Sequence, residues 1–232
     1  MIALLSDIHG NYVALQEVLK ELDNKGITDI YVLGDTIGYY PQVNEVCDEL
    51  RKRNVKALMG NHDWYMTADS FCDRSQTVND ALAYQKKIIS SENLAWLKSL
   101  PVFLEAGELK MVHGGWTDPI DEYLKPSKEY FDKVGGTYFA SGHTHVQKLE
   151  VYEEKQYCNP GSVGQPRDGE NTAAYATWDG SAFELHRVSY DFEAVGRLME
   201  EAGFTGYYYQ RLAFGAKDNG WYDEKGQAVP RV

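Results

Sequence analysis

The sequence predicts an α/β fold of two packed mixed β-sheets flanked by helices, a four-layer αββα sandwich. Short apolar runs at 2–5, 30–33 and 55–59 alternate with amphipathic stretches, the pattern of a βαβαβ unit whose parallel strands are buried on both faces. From Val102 onward the chain turns to closely spaced short strands, one pair joined by Asp179-Gly180, and these need a second sheet. Packing the two sheets face to face, with helices outside both, accounts for the order of elements.

Ile2 to Leu5 read as a buried strand that delivers Asp7 and His9 at its C-terminal end, where α/β folds place their chemistry. Val13, Leu15, Val18, Leu19 and Leu22 then fit one face of a helix closed by Gly26, since glycine accepts the left-handed conformation at a helix end. Ile30 to Leu33 form the second strand, ending at Gly34-Asp35. Val43, Val46, Cys47 and Leu50 mark a helix after Pro41, and Val55 to Met59 form a third strand ending at Gly60-Asn61-His62. Parallel pairing would bring these three strand ends to one sheet edge.

Residues 64–78 lack a clear period and read as a loop over that edge, followed by helices near 79–89 and 91–99, the second closed by Pro101. Strands are expected at 102–105, 108–113, 137–141, 147–152, 172–178 and 182–189. The tail from Asp191 carries a short helix, and its polar end from Lys217 reads as poorly ordered. One domain spanning 1–232, with a helical C-terminal appendage from about 191, fits the length and the 43% hydrophobic content.

A formal charge of −12 disfavours a sequence-blind grip on long nucleic acid, which needs lysine and arginine to displace counterions. Cys47, Cys72 and Cys158 are odd in number and form no C-x-x-C pair, so neither a disulfide framework nor a thiolate zinc site is indicated. The first apolar run is too short for a signal peptide and no later run approaches a membrane span. A soluble cytoplasmic protein without a membrane partner is expected, and its oligomeric state stays open.

Five of the six histidines fall in the strings SDIHG, GNHD, VHGG and SGHTH, with Asp35 in LGDT. Asp7, His9, Asp35, Asn61, His62, His113, His143 and His145 thus form a pool of imidazole, carboxylate and amide donors without thiolate, suited to Mn, Fe, Ni, Co or Zn. Each histidine alone could be an ordinary strand-end residue, and Asp7 and Asp35 could be helix N-caps. Gly10, Gly34, Gly60, Gly114 and Gly142 flank these positions and let the backbone come close to a metal.

In this order the strings resemble the calcineurin-like metallophosphoesterases across residues 5–145, and Asn159-Pro-Gly-Ser162 is similar to the NPGS string of the small bacterial and archaeal phosphodiesterase branch. The resemblance implies two divalent metal ions: Asp7, His9 and His145 on the first, Asn61, His113 and His143 on the second, Asp35 bridging both. Cations roughly 3.5 to 4 Å apart can share a hydroxide and clamp phosphoryl oxygens during in-line displacement. By the same resemblance His62 faces the substrate as catalytic residue, stabilising transition-state charge or protonating the leaving oxygen. In many phosphatases of this superfamily a second Asp supports that histidine; Gly38 stands there in this chain.

The function so implied is hydrolysis of a small phosphodiester or phosphomonoester by a metal-bridging hydroxide, with a dinucleoside polyphosphate hydrolase or a non-catalytic metal-binding scaffold as alternatives. The partner would be a small phosphate ester or nucleotide. Arg167 and Asn159 are candidate substrate contacts, each with a structural alternative in its own loop. Asp63 is expected either to orient His62 or to shape its loop, Tyr207 to Tyr209 to pack, and His186 to have no role. Tyr39, Tyr40, Trp64, Tyr65 and Trp116 are candidates for an aromatic wall, with core packing an equal account.

Overall fold

A computed structural model describes residues 1–216; the polar stretch from Lys217 lies outside them. The first sheet holds β1 (Ile2–Leu5), β2 (Ile30–Val32) and β3 (Lys56–Ala57) in parallel, with β9 (Ala173–Trp178) antiparallel to β1 and β10 (Phe183–Val188) beyond it. The order is β10-β9-β1-β2-β3. The second sheet, β4-β5-β6-β8-β7, comprises β4 (Phe103–Ala106), β5 (Leu109–Val112), β6 (Tyr138–Ser141), β7 (Lys148–Tyr152) and β8 (Lys155–Asn159). Its central strands β5, β6 and β8 are parallel and both edges antiparallel, so the two sheets are mixed.

Alternation along each strand explains the layering. Leu4, Tyr31, Leu33 and Leu58 point between the sheets and meet Leu109, Met111, Ala140 and Cys158. The opposite face of the first sheet, with Ala3, Leu5 and Val32, is covered by Leu15 and Val18 of α1 (Tyr12–Asn24), Val46 and Leu50 of α2 (Val43–Lys52), and Val195 and Met199 of α7 (Phe192–Glu201). On the second sheet's outer face, Phe139 and Tyr157 pack against Phe131 of α6 (Lys128–Val134). Both faces of β1 are therefore buried, which is why it reads as an unbroken apolar run. The Asp179-Gly180 hairpin joins β9 to β10, its Asp179 carboxylate accepting from the amides of Ser181 and Ala182 at 2.8 and 2.9 Å.

Three expectations need correction. The stretch read as a loop over 64–78 begins inside α3 (Asn61–Thr67) and ends inside α4 (Gln76–Ile88), which α5 (Ser91–Lys98) follows. The GNHD string carries its own helix start: Asp63, three residues after Gly60, accepts the Gly60 amide at 3.0 Å, the reciprocal half of a capping box. Second, β8 and α6 went unpredicted. Ser127 caps α6 by accepting from the Tyr130 amide at 3.2 Å, but the helix is too short to display a period. Third, the run at 55–59 pairs only at Lys56–Ala57. Beyond α7 the chain forms two short 3-10 turns, Gly206–Tyr208 and Gln210–Phe214. No helix among the described residues is long and apolar enough to cross a membrane.

Candidate metal centre

Asp7, His9, Asp35, Asn61, His113, His143 and His145, which come from five separate strand ends, meet at the C-terminal edge of the parallel strands and are all buried. One ligand atom from each of Asp7, His9, Asp35 and His145 lies within 4.8 Å of the others, and the same holds for Asp35, His113 and His143. Asp35 belongs to both groups. Asn61 adds its side-chain oxygen to the second, 3.2 Å from His113 Nε2 and 3.1 Å from His143 Nδ1.

Hydrogen bonds at the outer ring nitrogens fix the protonation of the cluster. His9, His113 and His145 each direct Nδ1 at a backbone carbonyl, of Ile37 (3.1 Å), Leu33 (2.7 Å) and Gln165 (2.6 Å). A carbonyl only accepts, so the ring proton sits on Nδ1 and Nε2 points inward as a lone pair. The Nε2 atoms of His9 and His145 then face each other at 3.0 Å, with Asp7 Oδ1 3.2 Å from His145 Nε2 and Asp35 Oδ2 3.6 and 3.5 Å from the Nε2 atoms of His9 and His113. Acceptor faces acceptor throughout. Asp7 Oδ1 is buried without any hydrogen-bond donor. Cations reconcile such contacts, and the donor set suits hard-to-borderline divalent ions.

Charge tells the same story. Burial, followed by the neighbouring Asp7 and Asp63, pushes the Asp35 carboxyl well above the usual range. Burial also lowers the pKa of all five ring groups, His9, His62, His113, His143 and His145, keeping them neutral and able to ligate near pH 7.

Backbone geometry aims these side chains. Asp7, His9, Asp35, His143 and His145 all have positive φ, between 53° and 66°. Such residues are uncommon, and each costs of order 1–3 kcal/mol that surrounding structure must offset. The restraints are visible: the amides of Asp7 and His9 donate to the carbonyls of Gly34 and Asp35, and the His143 amide donates to Asp7 Oδ2 at 3.0 Å. Asp7 and Asp35 are not N-caps; Asn11 caps α1, accepting from the Ala14 amide. Gly60 is required because a Cβ there would collide with the Asp35 carboxylate.

His62 is 4% exposed and lines a cavity of about 540 Å³ whose floor includes Asp35, Asn61, His143 and His145. Its amide holds Asp35 Oδ1 at 2.8 Å, and its Nε2 lies 3.9 Å from Asp35 Oδ2. Above Nδ1 sits Gly38, at φ +144°, where an added Cβ would lie 2.5 Å from the Nδ1 atoms of both His62 and His9. No residue at 38 could therefore reach His62 with a carboxylate without displacing the rings. Asp63 does not touch His62: it accepts from the amides of Gly60, Thr36 and Ile37, tying the Asp35 loop to α3, and burial raises its pKa to about 6.

Of the proposed substrate contacts, Arg167 lines the cavity and Asn159 does not. Asn159 is 1% exposed, its Nδ2 donating to Gly142 O and Thr144 Oγ1 and its Oδ1 accepting from the Gly161 amide. It braces the loop that carries His143 and His145. The aromatic wall also differs from expectation. Only Tyr39 of the five candidates lines the cavity: Tyr40 and Tyr65 are core, Trp116 packs on Phe139, and Trp64 is 41% exposed. Tyr123 and Tyr207 line it instead, with Arg74 and Arg211; Tyr208 and Tyr209 pack against the C-terminal helical segment as expected. His186 lies apart, stacked on Tyr175. A further residue without a motif is Asp121, 3.4 Å from His143 Nε2 and bound by Arg74 at 2.5 Å. Its carboxylate stands behind the ring whose Nδ1 faces Asn61, the place that outer carboxylates take at metal-binding histidines.

Comparison with known proteins places this geometry among relatives. Residues 1–181 match the calcineurin-like phosphoesterase superfamily domain. An uncharacterised protein of Methanocaldococcus jannaschii is 37% identical over 218 residues, covering 83% of this chain and 89% of that one. A protein of Paracidovorax citrulli described as a symmetrical bis(5'-nucleosyl)-tetraphosphatase is 35% identical over 125 residues, covering 49% of this chain and 45% of its own length. The crystal structure of a metallophosphoesterase from Sphaerobacter thermophilus superposes with a TM-score of 0.80 at 31% identity, covering 93% of this chain and 98% of that one.

Proposed function

The chain belongs to the calcineurin-like phosphoesterase superfamily, and from that premise we propose that it is a dinuclear metal-dependent phosphoesterase hydrolysing a small phosphodiester or phosphomonoester. The observation that carries this reading is the ring of inward-facing lone pairs and carboxylate oxygens around Asp35. Asp7, His9 and His145 would hold one cation, Asn61, His113 and His143 the other, and Asp35 both. When bound, such ions supply a water-derived nucleophile at neutral pH and polarise the phosphoryl oxygens.

The remaining work falls to the protein's side chains. His62, at the cavity floor beside Asp35, is placed to donate a hydrogen bond from Nε2 to a phosphoryl or leaving oxygen. With no carboxylate on Nδ1 and burial lowering its pKa, it acts as a neutral donor, gaining positive character only as the phosphate's charge arrives. In hydrolysis the water oxygen bonds to phosphorus, the bond from phosphorus to the leaving oxygen breaks, and that oxygen takes up a proton. The donors also fit Mn, Ni, Fe, Co or Zn without preference.

A dinucleoside polyphosphate hydrolase is the second reading, favoured by the arginines and tyrosines on the wall of the 540 Å³ cavity and by the activity named for the Paracidovorax citrulli relative. A non-catalytic scaffold accounts less well for a histidine donor beside the cluster. The test is hydrolysis of bis-4-nitrophenyl phosphate and 4-nitrophenyl phosphate with added Mn or Ni, with bound metal measured on the same sample. Two bound ions with no turnover of either ester would favour the scaffold.

A further inference from the structure

A glutamine sits where the helical period calls for an apolar residue. Along one face α4 buries Val78, Ala81, Leu82 and Gln85, the stripe by which a helix meets the core. Gln85 is wholly buried, and its amide bonds a loop 45 to 47 residues away in sequence: Oε1 accepts from the Gly38 amide at 3.1 Å, and Nε2 donates to Gly38 O at 2.7 Å and Tyr40 O at 2.6 Å. Oxygen and both hydrogens are engaged. A buried amide satisfied by one backbone segment holds that segment in place, because releasing it would strand several polar groups at once.

The same loop lies against His62. Gly38 stands at φ +144°, where an added Cβ would meet the Nδ1 atoms of both His62 and His9, and the next residue, Tyr39, sets its ring centroid 4.9 Å from that of His62 and 4.7 Å from that of His9. His62 Nδ1 is buried without a hydrogen-bond partner. No polar contact at that atom therefore orients the ring, which is held by packing against Tyr39, against His9 at 4.6 Å and against Tyr65 at 6.1 Å. His9 is itself fixed through its bond to Ile37 O, and Tyr65 belongs to the core. The contact that depends on Gln85 is Tyr39: at Gly38, just before it, both backbone groups are bound by Gln85, and at Tyr40, just after it, the carbonyl is.

We propose that Gln85 is a positioning residue for His62: by clamping Gly38 and Tyr40 it sets the Tyr39 ring, and through that ring the direction in which His62 Nε2 faces the cavity. The proposal rests on the phosphoesterase reading and deepens it, since it supplies the alignment of a neutral donor that has no carboxylate behind it. Helix α4, which also gives Thr77 and Val78 to the cavity wall, thereby reaches the histidine at the floor.

Gln85→Ala and Gln85→Met are compared with the wild type, alone and combined with His62→Ala, as the Mn-loaded full chain with metal content and melting temperature recorded. Well below the melting temperature, Gln85→Ala should lower kcat on the nitrophenyl esters by about 10- to 100-fold, the scale of a misaligned catalytic group. In the His62→Ala background the same change should cost less than about threefold, because residues that act through one another are not additive. An equal loss in both backgrounds overturns the proposal and makes Gln85 a general support of the fold; full activity of the single variant overturns it too. If Gln85→Ala does not fold, Gln85→Met, which nearly keeps the volume without the polar atoms, decides. A second readout needs no turnover. In proton-nitrogen correlation spectra of the imidazoles, recorded on the full chain with and without Zn, the His62 signal is identified by its loss in His62→Ala. That signal should shift in the Gln85 variants while the His113 signal stays, and an unmoved His62 signal overturns the proposal. A shifted signal in a protein that hydrolyses no ester sinks the phosphoesterase reading and leaves the positioning role standing.

Discussion

At the cavity floor, Asp7, His9, Asp35, His143 and His145 are aimed by left-handed backbone and tied to carbonyls and amides of neighbouring loops, whereas on the outer wall Arg74, Tyr123, Tyr207 and Arg211 come from segments without a shared motif. Floor direction is fixed by main chain, and wall direction by side-chain packing. A floor substitution therefore disturbs geometry held by many restraints, while a wall substitution changes what is recognised without disturbing the fold. Divergence in substrate should concentrate on the wall.

The sharpest way to break this contrast is Asp35→Asn. It should abolish binding of both ions and lower turnover more than about a thousandfold, since one carboxylate serves both groups. Because burial holds the Asp35 carboxyl above its ordinary range, the same change should stabilise the metal-free fold at neutral pH, seen as a raised melting temperature in chelator. A variant that keeps two ions per chain would refute the shared role. Next, His62→Ala should cost about 100- to 1,000-fold in kcat with metal content intact. His62→Gln, which keeps a neutral donor near the Nε2 position, should recover part of the loss; equal activity of wild type and Ala would remove the donor role.

Asp121 stands between the two regions, against Arg74 and His143, and Asp121→Asn should weaken metal binding by about 10- to 100-fold, the usual effect of losing an outer carboxylate. Metal titration checks it, and no change would make Asp121 a wall residue only. The smallest effect concerns pH. Cations require the Asp35 carboxylate, whose raised pKa keeps a proton in the metal-free protein at pH values where an ordinary carboxyl has lost it. Loading must then expel that proton, and affinity should weaken as pH falls below the raised value. The five histidines, lowered by burial, are already neutral near pH 7 and add nothing there. Calorimetry in buffers of different ionisation enthalpy measures the release, and the same heat in all buffers would contradict it.

The floor was legible in the sequence because its chemistry needs particular residue types after particular strands, and the apolar runs at 2–5, 30–33 and 55–59 that lead into it can be seen. His113 and the GHTH pair follow β5 and β6 in the same way. Of the wall, Arg167 and Tyr39 were legible and the rest was not. Arg211 and Tyr207 lie in 3-10 turns more than 60 residues beyond His145 in numbering, and no period or spacing links them to it. Asp121 meets His143 only through the fold of the 114–126 loop. The aromatic candidates failed for a related reason: Tyr40, Tyr65 and Trp116 neighbour the site in sequence, but turn into the core, a choice that burial makes and sequence adjacency does not.

The torsions of the loops that carry the candidate ligands also limit how this centre can change over generations or in the laboratory. With φ near +55° at Asp7, His9 and Asp35, the positions tolerate the short polar residues Asp, Asn and His better than longer or β-branched ones. Asp-to-Asn and Asp-to-His exchanges keep the loop, whereas a glutamate or a cysteine must also overcome an unfavourable conformation. Re-tuning toward thiophilic ions is thus closed at these three corners, and swaps among oxygen and imidazole donors remain the open route.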